Sequence, residues 1–367
     1  MRRVLTDTMV VQSFRCLPQL RLAYLVNQKT ASTTIKYSML LAAASRSDSN
    51  PSDIRARHRN SGLFVENILK SPLFGSPEIR QMRVFSVVRN PFVRALSGYL
   101  QKIATNAGSW REFAQEFGFR AEVSGSALRF TEFLRLLDTQ RDDRINRHFR
   151  PQYLNLLLPF SLPRFIGRLE QFDETARFLA EAGVSIEEQK GRPVNAGDRM
   201  EQYYTDEAVE LVARKFAPDF ALFGYSPKFS ELRELLPPTW SGGPDLLLDW
   251  LSGGDFPIEF LDPVARAQHK ILKEDDLDST LARIESVYES ETNARRLAHY
   301  AKFAADEGRS ELVRRVKERI AALRDVHRAC VENRDIFVPL ETMYLPGKPT
   351  ARPRRAGRKS RVRDSRS

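Results

Sequence analysis

The chain has few cysteines and no long apolar run, and these scarcities narrow the class of protein. Only Cys16 and Cys330 occur among 367 residues, so neither a disulfide scaffold nor a zinc site is indicated. No apolar run reaches the roughly 18 residues that a membrane-spanning helix needs. Residues 1–15 also lack the apolar centre of a secretory signal. A cytoplasmic location is therefore expected.

The composition otherwise fits a folded protein with a basic end. Hydrophobic residues make up 42% of the chain and charged residues 29%, as in soluble globular proteins, and the length favours two domains. The net charge is +11, but residues 348–367 hold nine Lys or Arg and one acid, which leaves 49 basic against 46 acidic residues elsewhere. A tail with so few apolar residues cannot fold alone, so residues 346–367 are predicted to be disordered.

A strand, a polar turn and a helix follow one another twice, which predicts an α/β fold with a parallel sheet. Arg21 to Asn27 and Met82 to Val88 are rich in strand formers. The helices predicted after them cover Thr33 to Ala44 and Phe92 to Ala104, and a third strand is predicted from Phe165 to Leu169.

The remaining apolar periodicity predicts helices. One helical region runs from Trp110 to Leu137, and another helix begins after Thr205, which suits an N-cap. Turn formers at residues 237–244 indicate a boundary, so we expect domains at 1–236 and 237–345. The second domain is predicted to be a helical appendage with helices at Leu277 to Tyr288, Ala294 to Asp306 and Glu311 to Arg324.

Two turns carry the candidate chemistry. The turn from Asn27 to Thr34 offers backbone N–H groups, hydroxyls and the Lys29 ammonium at a helix N-terminus, where an anion fits. It lacks the two glycines of a Walker A loop. The second turn places Arg89, whose guanidinium suits phosphate, at a strand end and Ser97 in the following helix.

Together these segments resemble the nucleotide site of sulfotransferases, specifically the carbohydrate sulfotransferase group of sulfotransferase family 2 (chondroitin 4-O and HNK-1 type) and its bacterial relatives. Three further segments occur in the same order in that family: Asn146 to Gln152, Phe165 to Glu170 and Asp219 to Tyr225. The resemblance covers about residues 18–228.

The resemblance implies a P-loop-like three-layer sandwich, with a central parallel sheet flanked by helices, that uses 3′-phosphoadenosine 5′-phosphosulfate (PAPS) as sulfuryl donor. It assigns the 3′-phosphate to Arg89 and Ser97, and the leaving phosphate to Lys29 as a catalytic residue. It requires no metal. The residues that it assigns to the 5′-phosphosulfate are Lys29, Thr30, Ser32, Thr33 and Thr34.

The chain departs from the family pattern at three places. Ala31 replaces a common glycine in the first loop, and Asn90 replaces the aspartate that usually follows the arginine. The cysteines that follow the His-containing segment in animal members are missing. The last difference fits a reducing compartment and leaves the acceptor open; a carbohydrate or other hydroxyl acceptor is expected.

Two histidines are candidates for the general base. His148 lies in a family-like segment and is favoured, provided that its pKa lies between about 6 and 7.5; a structural or acceptor-binding role is the alternative. His58 stands among arginines and is the second candidate. The histidines of the appendage, His269, His299 and His327, are expected at the surface.

Three more charged residues have two interpretations each. Glu170 either faces the site or pairs locally, and Arg147 and Arg150 either contact an anionic acceptor or lie on a solvated face.

Two other functions are consistent with parts of the sequence. A kinase of P-loop-like fold would need carboxylates for Mg²⁺ and usually a glycine-rich loop, and neither is evident. A non-enzymatic polyanion-binding protein is suggested by the tail, which is expected to contact polyanions or anionic membranes weakly, or simply to keep the protein soluble.

Overall fold

The fold is known from a computed structural model. It describes residues 10, 13–46, 64–65, 67–120, 122, 125–142, 145–158, 160–187, 195–240, 245–253, 277–332 and 337. His58, His269 and the basic tail lie outside these ranges.

Four strands form one sheet in the order β1-β2-β3-β4. β1 is antiparallel to β2, whereas β2, β3 and β4 are parallel, with Leu22 opposite Arg83 and Phe85 opposite Phe165. The predicted α/β fold with a central, mostly parallel sheet is therefore confirmed. β1 was not predicted, because a four-residue edge strand that ends before Pro18 gives little periodic signal. The strands are Phe14–Leu17 (β1), Leu22–Leu25 (β2), Arg83–Val88 (β3) and Phe165–Arg168 (β4).

Helices surround this sheet. Those before residue 240 are Ser32–Ala44 (α1), Pro91–Tyr99 (α2), Ala107–Phe117 (α3), Phe130–Asp138 (α4), Gln152–Asn155 (α5), Phe172–Ala180 (α6), Met200–Tyr203 (α7), Asp206–Lys215 (α8) and Ala217–Phe223 (α9). Those beyond it are Leu246–Leu251 (α10), Leu277–Val287 (α11), Ala294–Asp306 (α12) and Ser310–Cys330 (α13).

The alternation of side chains along the strands builds three layers. Leu22 and Tyr24 point into one core with α1 and α6, and the ring of Tyr24 stacks on Phe85 at 4.9 Å. Ala23 and Leu25 point into the other, larger core, which includes residues of α2, α3 and α4. The sheet is thus covered on both faces, as parallel sheets usually are.

Two predicted helical segments differ from the structure. The region from Trp110 to Leu137 forms two helices, because α3 ends at Gly118 with a φ of +75° and the chain turns before α4. The segment after α2 continues to Ala104 as a π-helical turn, Leu100–Ala104. The predicted N-cap at Thr205 is confirmed, since its side chain accepts from the N–H of Ala208 at 3.2 Å.

The C-terminal helices α11, α12 and α13 share a separate small core. They also pack on the larger layer, since α12 contacts α3 and α13 contacts α4. His327 on α13 is buried against Phe117 with ring centroids 4.9 Å apart, so its expected surface position is wrong; His299 is exposed as expected. Within the described ranges, no helix is both long and apolar enough to cross a bilayer.

Candidate active site

The carboxyl ends of the three parallel strands bring three polar segments to one edge of the sheet. β2 is followed by the loop from Asn27 to Ala31, β3 by Arg89 and Asn90, and β4 by Glu170. Because these strands are neighbours, the segments lie side by side. This edge is where open α/β sheets bind their ligands.

The loop after β2 turns sharply before α1 begins. Lys29 and Ala31 have positive φ angles of 72° and 55°, and such alternation points successive N–H groups into a concave nest. The hydroxyl of Thr30 donates to the carbonyl of Asn27 at 2.9 Å and closes the turn. Ala31 gives α1 no side-chain cap, so the first N–H groups of the helix can bind an anion.

The hydroxyls predicted to bind the donor occupy this turn and the following helix. Thr30 and Ser32 are buried, Thr33 is exposed and Thr34 is half-buried. Ser97 is buried in the second turn of α2.

Lys29 is half-buried, and its Nζ donates to Oε1 of Gln101 at 2.6 Å. Gln101 lies on the π-helical turn and was not predicted as a site residue. Burial, together with the nearby charges of Arg89, Lys102 and Arg94, lowers the pKa of Lys29 to about 7. Among the described residues only cations act on the Lys29 ammonium, so an anion bound beside it would raise its pKa.

Arg89 lies against the first loop. Its Nη1 donates to the carbonyl of Lys29 at 3.4 Å. Burial lowers its pKa, and Glu170 opposes that effect. The cations predicted for the two ends of the donor therefore meet at one edge of the sheet.

Gln152 holds the two loops together. Its Oε1 accepts from Nδ2 of Asn27 at 2.8 Å and from the N–H of Arg89 at 2.9 Å, and its Nε2 donates to the carbonyl of Arg89 at 2.8 Å. The N–H of Gln152 donates to the buried carboxylate of Asp219 at 2.7 Å, and Asn155 donates to Asn27 at 3.2 Å. Two of the family-like segments, Asn146 to Gln152 and Asp219 to Tyr225, therefore support the two loops through long-range contacts.

The departure at Asn90 has a structural basis. Its Oδ1 caps α2 by accepting from the N–H of Phe92, and its Nδ2 donates to the carbonyl of Leu232 at 3.0 Å. An aspartate could not make the second bond. Glu170 accepts from the N–H of Asn90 at 2.8 Å and from the hydroxyl of Tyr225 at 2.7 Å, so it pairs locally.

His148 lies in a turn that packs closely on α2. A Cβ at Gly98 would stand 3.0 Å from the Phe149 ring and 3.3 Å from the His148 carbonyl, so this approach requires glycine. Oδ1 of Asn146 accepts from the N–H of His148 at 3.1 Å and lies 2.9 Å from its Nδ1. An acceptor oxygen there places the ring proton on Nδ1 and leaves a lone pair on Nε2.

The electrostatics of His148 differ from the sequence-based requirement. Burial, and then the charges of Lys102, Arg147, Lys29 and Arg94, lower its pKa to about 3 rather than 6 to 7.5. The ring is therefore neutral over the physiological range. A neutral ring has the protonation state that a base needs, but it is a weak base until negative charge enters the site.

The arginines near His148 take part in hydrogen bonds with backbone carbonyls. Arg94, which was missed, is buried and donates from Nε to the carbonyl of Gln28 at 3.1 Å. Arg150 is buried and donates to the carbonyl of Ile145 at 3.2 Å, so a solvated face is wrong for it. The backbone carbonyl of Arg147 accepts a hydrogen bond from Nη2 of Arg94 at 3.4 Å, and the side chain of Arg147 is half-buried.

The comparison with known proteins decides the family. The model of the sulfotransferase family matches residues 12–226, more than half of the chain. The chain belongs to the sulfotransferase family. The matched range includes both loops, His148 and the residues Gln152 and Asp219 that support the loops, and it ends just after Tyr225.

A curated relative agrees with this membership. This sulfotransferase-family chain is 26% identical over 190 residues to carbohydrate sulfotransferase 14 of Danio rerio, an alignment that covers 47% of the chain and 51% of the relative. The chain thus spans about half the length of this relative. No solved structure matches.

A small pocket opens beside His148 in this sulfotransferase-family fold. It has a volume of about 70 Å³ and lies between α3, the π-helical turn and the 145–150 turn. Its lining residues are Lys102, Ser109, Glu112, Phe113, Glu116, Asn146, His148 and Phe149. Among the residues that the structure describes, no group of three or more His, Cys, Asp or Glu side chains could hold a metal ion.

Proposed function

We propose that the protein transfers the sulfuryl group of PAPS to a hydroxyl of a carbohydrate or glycoconjugate by in-line displacement. The observation that carries the proposal is the meeting of Lys29 and Arg89, with the open N-terminus of α1, at the carboxyl edge of the sheet. Membership of the sulfotransferase family supports sulfuryl rather than phosphoryl transfer.

The donor set at this edge fits an anionic nucleotide. Lys29, Arg89 and Arg94 are buried or half-buried cations whose pKa values are lowered by burial, and their positive charges repel one another. Such a cluster is stabilised when an anion binds between its members. Under this proposal the N–H groups and hydroxyls of residues 30–34 hold the 5′ end, and Arg89 with Ser97 holds the 3′-phosphate.

Lys29 has the central electrostatic role in the proposed reaction. PAPS supplies a sulfuryl group on a phosphate leaving group. The Lys29 ammonium neutralises the charge that grows on the bridging oxygen as the S–O bond to it breaks, and the leaving nucleotide keeps the electron pair. The hydrogen bond to Gln101 holds the ammonium in one position.

His148 is the proposed general base. Its Nε2 takes the proton of the acceptor hydroxyl while the hydroxyl oxygen forms the new bond to sulfur. The hydrogen bond that Nδ1 of His148 donates to Oδ1 of Asn146 supports this role, because it fixes the tautomer with a free Nε2. The alternative base, His58, lies outside the described residues.

The relative named as a carbohydrate sulfotransferase supports a sugar hydroxyl as acceptor. The test is a thermal-shift comparison of adenosine 3′,5′-bisphosphate, ATP with Mg²⁺ and AMP, followed by transfer of ³⁵S from labelled donor to oligosaccharides. We expect stabilisation by the bisphosphate alone, because only it reaches both cationic ends.

Equal stabilisation by ATP would favour the kinase alternative. Stabilisation by no nucleotide, with salt-sensitive retention on heparin, would favour the polyanion-binding alternative.

A further inference from the structure

The loop that carries Lys29 and the turn that carries His148 are joined by two buried side chains. Both side chains donate to the backbone carbonyl of Arg147, the residue before His148: Nη2 of Arg94 at 3.4 Å and Nδ2 of Asn155 at 2.9 Å. That carbonyl is therefore held from two sides, by a residue of α2 and by the last residue of α5.

The same two side chains also reach the start of the loop after β2. Nε of Arg94 donates to the carbonyl of Gln28 at 3.1 Å, and Nδ2 of Asn155 donates to Oδ1 of Asn27 at 3.2 Å. Each side chain thus bridges the loop of the proposed leaving-group cation and the turn of the proposed base. On both segments the attachment points lie within two residues of the proposed catalytic side chain.

These bridges are shielded from water. Arg94 is 2% exposed and Asn155 is fully buried, so their hydrogen bonds are not readily exchanged for bonds to solvent. The planar guanidinium of Arg94 presents its donors in a rigid fork, which fixes the direction as well as the distance between the two carbonyls that it binds. The shorter bond from Asn155 holds the second carbonyl in the same place.

Close packing also holds the His148 turn against α2. Gly98 follows Arg94 by four residues, so the two lie on one face of the helix. A Cβ at Gly98 would stand 3.0 Å from the ring of Phe149 and 3.3 Å from the carbonyl of His148. The same face of α2 thus contacts this turn by packing at one residue and by a hydrogen bond at the other.

The charge of Arg94 also acts on the site. Burial lowers the pKa of Arg94 to about 10, so the guanidinium stays charged at neutral pH. After burial itself, this charge is one of those that lower the pKa of Lys29 and of His148. A substitution at Arg94 therefore separates the effect of its hydrogen bonds from that of its charge only if it keeps the charge.

We propose that Arg94 and Asn155 are positioning residues that hold the turn of His148 at a fixed position relative to the loop of Lys29. The inference rests on the proposed function, because the two side chains act through the base and the leaving-group cation assigned there. In-line displacement requires both groups to be placed correctly around the sulfuryl group, and a misplacement of about 1 Å can cost about 10²-fold in rate.

The experiment is a double-mutant cycle on the full chain. Arg94→Lys keeps the positive charge but replaces the rigid fork by a single ammonium, so a loss reports the lost bridge. The natural chain, Arg94→Lys, His148→Ala and the double variant are compared. Transfer of ³⁵S to sulfate-free chondroitin, hyaluronan or alginate oligosaccharides, whichever the natural chain labels fastest, gives kcat, and calorimetry gives the affinity for adenosine 3′,5′-bisphosphate.

We expect Arg94→Lys to lower kcat at least about tenfold in the natural chain and less than about twofold in His148→Ala, because a positioning residue loses its effect once the group that it positions is gone. Bisphosphate affinity should change less than about threefold, since Gln152 and Thr30 still hold the donor loop. Asn155→Ala should give the same pattern, and it replaces Arg94→Lys in the cycle if that variant does not fold.

Arg46→Lys is the matched control. Arg46 also donates to two backbone carbonyls, those of Gln19 at 3.5 Å and Ala182 at 3.1 Å, but it follows the end of α1 that lies away from the site. This variant should keep kcat unchanged. Equal losses of kcat in the natural chain and in His148→Ala would overturn the inference, as would a loss confined to bisphosphate affinity.

The single variants separate this inference from the proposed function. If His148→Ala lowers kcat but the effect of Arg94→Lys is the same in both backgrounds, the inference fails and the proposed base stands. If His148→Ala keeps full kcat, or if no oligosaccharide is labelled, that part of the proposed function and the inference fail together.

Discussion

Lys29 combines an unusual backbone with an unusual charge. Its φ of 72° turns the loop toward α1, and its ammonium donates to Gln101. Among the described residues, the charges that act on this ammonium are those of Arg89, Lys102 and Arg94, all of them cations. The charged form of Lys29 is thus destabilised in the free protein, and it is stabilised when an anion binds beside it. That asymmetry gives a measurable pH dependence.

We expect kcat/KM to fall as the pH rises through about 7. The profile of kcat/KM reports the free enzyme, in which Lys29 has a pKa of about 7 and must be protonated to act. The profile of kcat should fall only at higher pH, because bound donor stabilises the ammonium. Lys29→Arg should remove the alkaline limb, and a profile that is flat from pH 6 to 9 in the natural chain would contradict this role.

Ala31 predicts a stabilising substitution. Its φ of 55° lies in the left-handed region, where a Cβ costs about 1 kcal/mol and glycine costs little. Ala31→Gly should therefore raise the free energy of unfolding by about 1 kcal/mol, measured by urea denaturation.

Ala42→Gly, in the helical part of α1, is the matched control and should lower that free energy by about 1 kcal/mol. The same sign for both substitutions would show that the strain at Ala31 is relieved elsewhere.

His148→Ala should lower turnover by about 10²- to 10⁴-fold. Binding of adenosine 3′,5′-bisphosphate, measured by calorimetry, should change less than about twofold, since the ring serves the acceptor and not the donor. Asn146→Ala should give a smaller loss, because it frees the ring without removing it. A large rise in acceptor KM with unchanged kcat would instead assign His148 to acceptor binding.

At the scale of elements, the π-helical turn after α2 places Gln101 and Lys102 at the site. Adding a residue to one turn rotates the next residues of the helix by roughly 100° relative to an α-helix. Gln101 thereby reaches Lys29, and Lys102 reaches the pocket. The turn thus connects the loop after β2 with the pocket beside His148.

We expect Gln101→Leu to lower kcat about tenfold with little change in bisphosphate affinity, because the ammonium loses the acceptor that positions it. Gln101→Glu should instead raise the pKa of Lys29 and move the alkaline limb of kcat/KM to higher pH. Gln202→Leu, at an exposed position on α7, is the control. An unmoved limb in Gln101→Glu would contradict the positioning role.

The elements differ in how well the sequence predicts them. The parallel strands, α1 and α2 follow from local apolar patterns, and both loops were predicted because strand ends and helix starts have local signals. The edge strand β1 and the π-helical turn depend on tertiary pairing. Likewise Gln152 and Asp219 act across more than 60 residues of chain, which a local pattern does not encode.

At the scale of the whole molecule, the division at residues 236 and 237 stays a prediction. Helices α11 to α13 have their own core, as a separate appendage would. In contrast, Leu247 and Leu251 of α10 are buried in the larger core, and the N–H of Leu247 donates to the carbonyl of Phe160 at 2.7 Å. We therefore propose that the catalytic unit includes α10.

The connection of the two loops through Gln152 predicts nucleotide selectivity. We expect adenosine 3′,5′-bisphosphate to bind at least about tenfold more tightly than the 2′,5′ isomer, measured by calorimetry. Arg89→Ala should weaken binding of the 3′,5′ form by about 2 to 4 kcal/mol and remove the preference, while Arg80→Ala, at an exposed position, should not. Equal loss for both isomers would assign Arg89 to another group.

The Gln152 amide also fixes the spacing of the two loops. One planar group spans from Asn27 to the backbone of Arg89, so the loops cannot move apart without breaking its hydrogen bonds. Under the proposed function, we expect the separation of a nucleotide's two charged ends to decide its binding more than its total charge does. ATP would then compete poorly with the sulfuryl donor even when ATP is in large excess.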